Sequence, residues 1–197
     1  MNYWTSTGPL AALLLAGCVQ TGPATDRPAT LQIIAFNDFH GHIGAGDQPV
    51  IPPGSPRDAS RVKAGGAVHL AAAVAKLRAE NPKSAVVTAG DLISASPLVS
   101  GHFLDEPTIR VMNDIGIDFS ALGNHEFDRG QKELARIQSG GCAKYTLLEP
   151  CQVMPDFPGA SFRLLAANVH LADGQTLFQP FGIKALKLGR RTVRIGF

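Results

Sequence analysis

A chain of 197 residues can bury one substantial core, so a single domain, or a piece of one, is the starting assumption. Charged residues make up 17% and hydrophobic residues 45%, with 21 Gly and 14 Pro; this balance excludes a disordered or fibrous chain and indicates a loop-rich globular one. The net charge of +2 arises from scattered Lys and Arg, with no basic run longer than Arg190 and Arg191 beside Lys187, so the sequence shows no footprint for a nucleic-acid polymer.

Residues 9–16 read PLAALLLA, too short to cross a bilayer as a helix but suited to the apolar region of an export signal. The following Leu15-Ala16-Gly17-Cys18 resembles the bacterial lipobox, which implies cleavage after residue 17 and a lipid anchor on Cys18. Residues 1–8 carry no Lys or Arg and so depart from an ordinary signal; the competing reading is an apolar tail with an incidental cysteine. Residues 18–30, rich in Pro, Thr and Gly, read as a flexible tether. The expected location is the cell envelope, periplasmic or on the outer membrane, with the lipid as the only membrane contact.

The folded part is expected over residues 31–197. Leu31–Asn37 is a short run of β-formers that stops at Asp38-Phe39-His40-Gly41. Residues 44–64, with four Pro, read as an exposed loop. Gly66–Glu80 reads as a helix with Val68, Ala71, Ala72, Ala75 and Leu77 near one stripe, halted by Pro82. Ala85–Ala89 is a second buried strand, ending in Gly90-Asp91. Asp105 is placed to cap a helix over Glu106–Ile115, which Gly116 closes. Asp118–Leu122 is a third strand, followed at once by Gly123-Asn124-His125-Glu126-Phe127-Asp128 and a helix near Gln131–Gln138. Phe162–Val169 reads as another strand, and Ile183–Leu188 with Thr192–Phe197 as a hairpin turning near Gly189. The sequence stops inside that last strand, which points to an incomplete domain.

Strands alternating with helices imply parallel crossovers, and ligand sites in such sheets lie beyond the carboxyl ends of the strands. Three strand ends here deliver Asp38 and His40, then Asp91, then Asn124, His125 and Asp128. Carboxylate, amide and imidazole donors together describe a mixed oxygen and nitrogen site for divalent metals. Asp38 and His40, at alternating positions of an extended segment, are expected to point the same way and grip one ion. His42, His69, His102 and His170 receive no ligand role, Asn168 reads as a turn residue, and Phe39 and Phe127 as packing residues. Cys142 and Cys151 in GGCAKYTLLEPC are expected to form a local disulfide in an exported chain, with free thiols or soft metal ligands as the alternative.

The series D-x-H, G-D and G-N-H-E, in that order after three strands, resembles the calcineurin-like metallophosphoesterases. FNDFHGH, GDLISASPL and LGNHEFDRG resemble, more narrowly, their bacterial 5'-nucleotidase and UDP-sugar hydrolase branch, over about Leu31 to Phe197. The resemblance implies an α/β fold, a mixed β-sheet sandwich flanked by helices and incomplete at its C-terminal side, without the branch's C-terminal nucleotide-binding domain. It implies two divalent ions (Mn, Zn, Co or similar): Asp38 and His40 bind the first, Asp91 bridges both, and Asn124 binds the second beside the phosphate. His125 and Asp128 become a catalytic dyad, the imidazole assisting the phosphoryl transition state or the departing oxygen and the carboxylate orienting it. The implied reaction is hydrolysis of a phosphate ester, a 5'-nucleotide, by hydroxide generated between the two ions. The branch's later His ligands are missing, so this chain alone is expected to bind metal weakly and to hydrolyse little. Two other readings stand beside it: a related sulfur-oxidation thiosulfohydrolase, and a catalytically inactive envelope lipoprotein that binds nucleotides.

Overall fold

The computed structural model describes residues 30–44, 46 and 49–197. The expected export signal, Cys18 and all but the last residue of the tether lie outside the described residues. Four parallel strands form the main sheet: β1 (Gln32–Phe36), β4 (Ser84–Thr88), β5 (Phe119–Ala121) and β6 (Arg163–Leu165), side by side in that order. A stepwise parallel order joined by right-handed crossovers sends every connecting helix to one face. That face receives α1 (Ala67–Glu80), α3 (Glu106–Ile115) and α4 (Gln131–Ser139). Their Val74, Ile109, Met112, Ile115, Leu134 and Ile137 pack with Ile34, Val86, Phe162 and Leu164 in one buried cluster.

The opposite face carries a separate antiparallel hairpin, β7 (Ile183–Leu188) and β8 (Arg191–Gly196), turning at Gly189 as the sequence indicates. The expected α/β arrangement is present, with the parallel strands in the main sheet and the antiparallel hairpin in a sheet of its own that meets the main sheet through side chains. The Phe119 and Phe197 rings lie 5.5 Å apart between centroids, and Lys184 Nζ reaches Asp118 Oδ1 at 2.5 Å. The loop expected over residues 44–64 contains a small antiparallel ribbon, β2 (Pro49–Val50) with β3 (Val62–Lys63). A single turn, α2 (Leu98–Gly101), precedes α3.

Two readings of the helices change. Val68 on α1 is 78% exposed, and Ala72 and Ala75 are also exposed; the face turned inward is Leu70, Ala71, Val74 and Leu77. In an alanine-rich helix the weak contrast between faces leaves the stripe ambiguous until a sheet selects one. Asp105 does not cap α3: its backbone is left-handed at φ 60° and its carboxylate turns away to bind elsewhere. Gly116 closes α3 at φ 73°, and Arg78 of α1 donates to the carbonyls of Ile115 and Gly116, strapping α1 to that terminus.

Cys142 and Cys151 form the expected disulfide, Cα–Cα 5.6 Å. A buried ion cluster anchors both ends of its loop. Arg136 Nη1 donates to Glu106 Oε1 and to the Gly141 carbonyl, Arg136 Nη2 donates to Glu133 Oε1, and Glu106 Oε1 also accepts Cys151 N–H. Removing one partner from a buried ion cluster leaves the others uncompensated, at a cost of about 3–5 kcal/mol. Arg136→Met is therefore expected to lower the unfolding free energy by about that amount in urea titration. A loss below about 1 kcal/mol would show that the cluster is inert.

Candidate metal centre

The carboxyl ends of β1, β4 and β5 lie side by side, so the three motifs open onto one rim. The segment after β1 bonds along the segment after β4: Asp38 N–H donates to Gly90 O, His40 N–H to Asp91 O, and Gly41 N–H to Leu92 O. The next pair of strand ends touches backbone to backbone. A Cβ on Gly90 would fall 2.2 Å from Gly123 N, and one on Gly123 would fall 2.1 Å from Asp91 Oδ1. Only glycine permits this approach.

Asp38 and His40 do not lie on an extended segment. Their φ angles are 54° and 43°, and that of Asp91 is 52°, so all three sit in the left-handed region. A tight turn braced by the β4 segment, rather than strand alternation, aims their side chains.

His40, Asp91 and His125 converge, each offering one donor atom within 4.8 Å of the others. The two imidazoles meet edge to face with centroids 5.0 Å apart. Asp91 Oδ1 also accepts His125 N–H at 3.0 Å, which ties the β4 and β5 motifs together. Asp38 is exposed beside this trio, with Oδ1 3.9 Å from His40 Nε2 and Oδ2 held by the Asn37 amide. Asn124 is exposed at the start of the short 3-10 turn His125–Phe127, next to His125 in the same motif. Donor bonds of about 2.0–2.2 Å allow donors about 4.4 Å apart across one ion, so His40 and Asp91 suit a divalent cation after a small closure, with the His125 ring facing it. Imidazole and carboxylate together favour a transition metal over a purely oxygen-seeking one.

His125 Nδ1 lies 2.8 Å from Asp128 Oδ2, which leaves Nε2 for the site. That carboxylate holds the imidazolium above the ordinary histidine value against modest desolvation, and Asp91 and Glu126 add to the effect. Among the other histidines, His69 Nδ1 pairs with Gly65 O at 2.9 Å, while His42, His102 and His170 are exposed; none joins the trio. Phe39 and Phe127 pack partly against the core.

Sequence reasoning gave no part in the rim to three residues that hold it in place: Glu126 and Arg129 had no role, and Asp105 was assigned only as a helix cap. Glu126, 4% exposed, accepts the backbone N–H groups of Asp91 at 2.9 Å, Leu92 at 2.8 Å and Gly123 at 2.6 Å. Asp105, fully buried, accepts Ser94 N–H and the Ser100 hydroxyl, and Arg129 Nη1 reaches the same carboxylate at 2.5 Å. Glu126 stood inside a quoted motif, yet an acid that bonds only backbone has no spacing signature. Asp105 and Arg129 are 24 residues apart and nothing local pairs them.

A family model described as calcineurin-like phosphoesterase matches residues 31–191. An uncharacterized protein of the pqq-V 5' region in Acinetobacter calcoaceticus is 50% identical over 193 residues, covering 92% of this chain and 94% of that protein. Endonuclease YhcR of Bacillus subtilis is 34% identical over 161 residues, covering 82% of this chain and 12% of its own length. A probable 5'-nucleotidase of Treponema pallidum is 36% identical over 104 residues, covering 53% of this chain and 17% of its own. The chain thus spans nearly all of the first relative and less than a fifth of the other two. Among solved structures, the calcineurin-like phosphoesterase YfkN of Bacillus subtilis superposes with a TM-score of 0.56 at 26% identity, covering 84% of this chain and 46% of that one.

Burial raises the pKa of the Asp105 carboxyl, but the Arg129 guanidinium, with hydrogen bonds from Ser96 and Ser94, outweighs burial and holds it below the ordinary carboxylate value. A carboxyl lowered on folding contributes stability that is full above its unfolded pKa of about 3.9 and is lost as pH falls through the folded value. Asp105→Asn is expected to cost about 3 kcal/mol at pH 7 and to flatten the loss of stability below about pH 4, read from urea titrations across pH. An acid limb as steep as that of the wild type would remove Asp105 from this role.

Proposed function

The chain belongs to the calcineurin-like phosphoesterase family, and from that premise we propose that it hydrolyses phosphate esters, 5'-nucleotides first among them, at a centre of two divalent ions. The observation that carries this reading is the convergence of His40, Asp91 and His125 from three separate strand ends. In the proposed centre Asp38, His40, Asp91 and Asn124 would hold the ions. Manganese, cobalt and zinc all suit this donor set. Ions held by these residues would supply positive charge against the phosphoryl oxygens and lower the pKa of a bound water.

The chain's own groups perform the rest. Asp128 fixes the His125 ring through Nδ1, so that Nε2 presents a proton to a phosphoryl or departing oxygen. The Asp128 hydrogen bond raises the pKa of the ring above the ordinary histidine value, which favours the protonated form. The Asp91 backbone and carboxylate hold His125 N–H and the His40 segment at fixed distances, which positions reacting groups without motion in the step itself. Nucleotides are assigned because the LGNHEFDRG and GDLISASPL motifs resemble the 5'-nucleotidase branch and because a relative carries that name. The apolar run before Cys18 and the Cys142–Cys151 disulfide support an oxidising compartment of the cell envelope as its location.

Mn²⁺ titration of the chain by calorimetry is expected to show weak but saturable binding, since the branch's later His ligands are missing, and Asp91→Asn is expected to weaken it at least tenfold. No saturable binding would end the metallohydrolase reading. His125→Asn is expected to leave Mn²⁺ affinity unchanged while slowing phosphate release from AMP by about 100-fold. Loss of affinity instead would make His125 a ligand. Parallel assays distinguish the other readings: turnover of a thiosulfonate without AMP would replace the nucleotidase assignment by the sulfur-oxidation one, and AMP binding without turnover of either would favour the inactive lipoprotein.

A further inference from the structure

His40 reaches the trio on one side of its ring and is held on the other. Its Nδ1 lies 3.0 Å from the Ser94 carbonyl oxygen. A carbonyl only accepts, so Nδ1 carries a proton, which leaves Nε2 as the ring atom aimed toward Asp38 and the centre. The aim of that carbonyl is not given by regular structure. Ser94 and Ala95 are consecutive left-handed residues, at φ 65° and 48°, a conformation that non-glycine residues hold only when their surroundings impose it.

The surroundings that impose it are the Asp105–Arg129 pair. Ser94 N–H donates to Asp105 Oδ2 at 3.0 Å, Arg129 Nη1 binds the same oxygen at 2.5 Å, and Ser100 Oγ satisfies Oδ1 at 2.8 Å. The second Arg129 nitrogen donates to Gly101 O at 3.1 Å, which closes the loop over residues 94–101 from its far end. Arg129 directly follows Asp128, the residue that orients His125. One guanidinium therefore joins the segment that orients His125 to the loop that orients His40.

We propose that Arg129, acting through Asp105 and the Ser94 carbonyl, is a positioning residue that fixes the ring tautomer and aim of His40 and thereby sets the affinity of the centre for its first divalent ion. The metal part rests on the function proposed above; the tautomer part does not. Arg129 touches neither the centre nor a substrate. Its effect passes through the Asp105 carboxylate to the Ser94 backbone, with a longer contact to Ser94 Oγ at 3.5 Å, while Ser96 Oγ donates to the Ser94 carbonyl at 3.3 Å.

The test uses the 197-residue chain and two readouts. Imidazole ¹⁵N shifts of the metal-free protein report the His40 tautomer, and Mn²⁺ calorimetry reports affinity. In wild type, His40 is expected to show a protonated Nδ1 and an unprotonated Nε2. Arg129→Met is expected to convert this into a tautomer mixture and to weaken Mn²⁺ binding about tenfold, the size usual for loss of a group that orients a ligand. Arg129→Lys, which keeps the charge beside Asp105 but not the bond to Gly101, is expected to recover part of both. Arg110→Met, which breaks an exposed pair with Asp114, is the control and should change neither. If Arg129→Met does not fold, Arg129→Gln is read in its place. A folded Arg129 variant with the wild-type His40 tautomer overturns the proposal, even if its melting temperature falls. Absence of Mn²⁺ binding in the wild type would overturn the function reading alone, and the tautomer would still decide the role of Arg129.

Discussion

The three N–H groups held by the Glu126 carboxylate are the constraint on which the rest of the rim depends. Two belong to the segment after β4 and one to the segment after β5, so a single buried anion joins neighbouring strand ends that share no ladder hydrogen bond at that height. Hydrogen bonds to a charged acceptor contribute about 1.5–3 kcal/mol each, enough to offset the burial of an acid among them. Because Asp91 supplies one of these N–H groups, its own side chain can project into the centre at a left-handed backbone angle. The close approach of Gly90 and Gly123 serves the same junction: a methyl group on either would push apart the strand ends that Glu126 holds together.

The site is built under strain, and the strain is local. Of the eight non-glycine residues with positive φ among the described residues, seven lie at Asp38, His40, Asp91, Ser94, Ala95, Leu104 and Asp105, around the centre. Left-handed placement costs about 1–3 kcal/mol at each residue, so it persists only where other contacts over-determine it. Here two buried acids supply those contacts, Glu126 beneath Asp91 and Asp105 beneath Ser94. The helical layer beyond them is ordinary by comparison, with apolar residues of three helices closing on one sheet face and a separate hairpin on the other. The division is physical: dispersion and burial hold the scaffold together, while directed hydrogen bonds to anions shape the rim.

The scaffold was legible in the sequence because its signals are local. Strands ending at Asp38, Asp91 and Asn124, the helix over Glu106–Ile115, Gly116 as its terminus and the turn at Gly189 all follow from runs of apolar residues and from turn chemistry within a few positions. The errors fell where a local rule had competitors. Asp105 has the composition and position of a cap but is drawn off by Arg129, a stronger partner that the chain brings in 24 residues later. Val68 and Leu70 are equally apolar, and only the sheet determines which of them faces inward. The alternation argument for pairing Asp38 with His40 fails, because both residues sit in a left-handed turn rather than on an extended segment.

Taken alone, the sequence determined the order of the main-sheet strands, the three long helices and the final hairpin, the three polar motifs at strand ends, a local cysteine pair in one loop, and the residue types suited to a divalent metal. Each of these depends on neighbours along the chain, and short-range propensity and spacing can encode them. Tertiary structure decided which donors meet, why Asp38, His40 and Asp91 can occupy left-handed backbone, and that Glu126, Asp105 and Arg129 brace the site. Those outcomes depend on groups far apart in the chain competing for the same hydrogen bonds in a buried space, and that competition is settled only when the strands lie side by side.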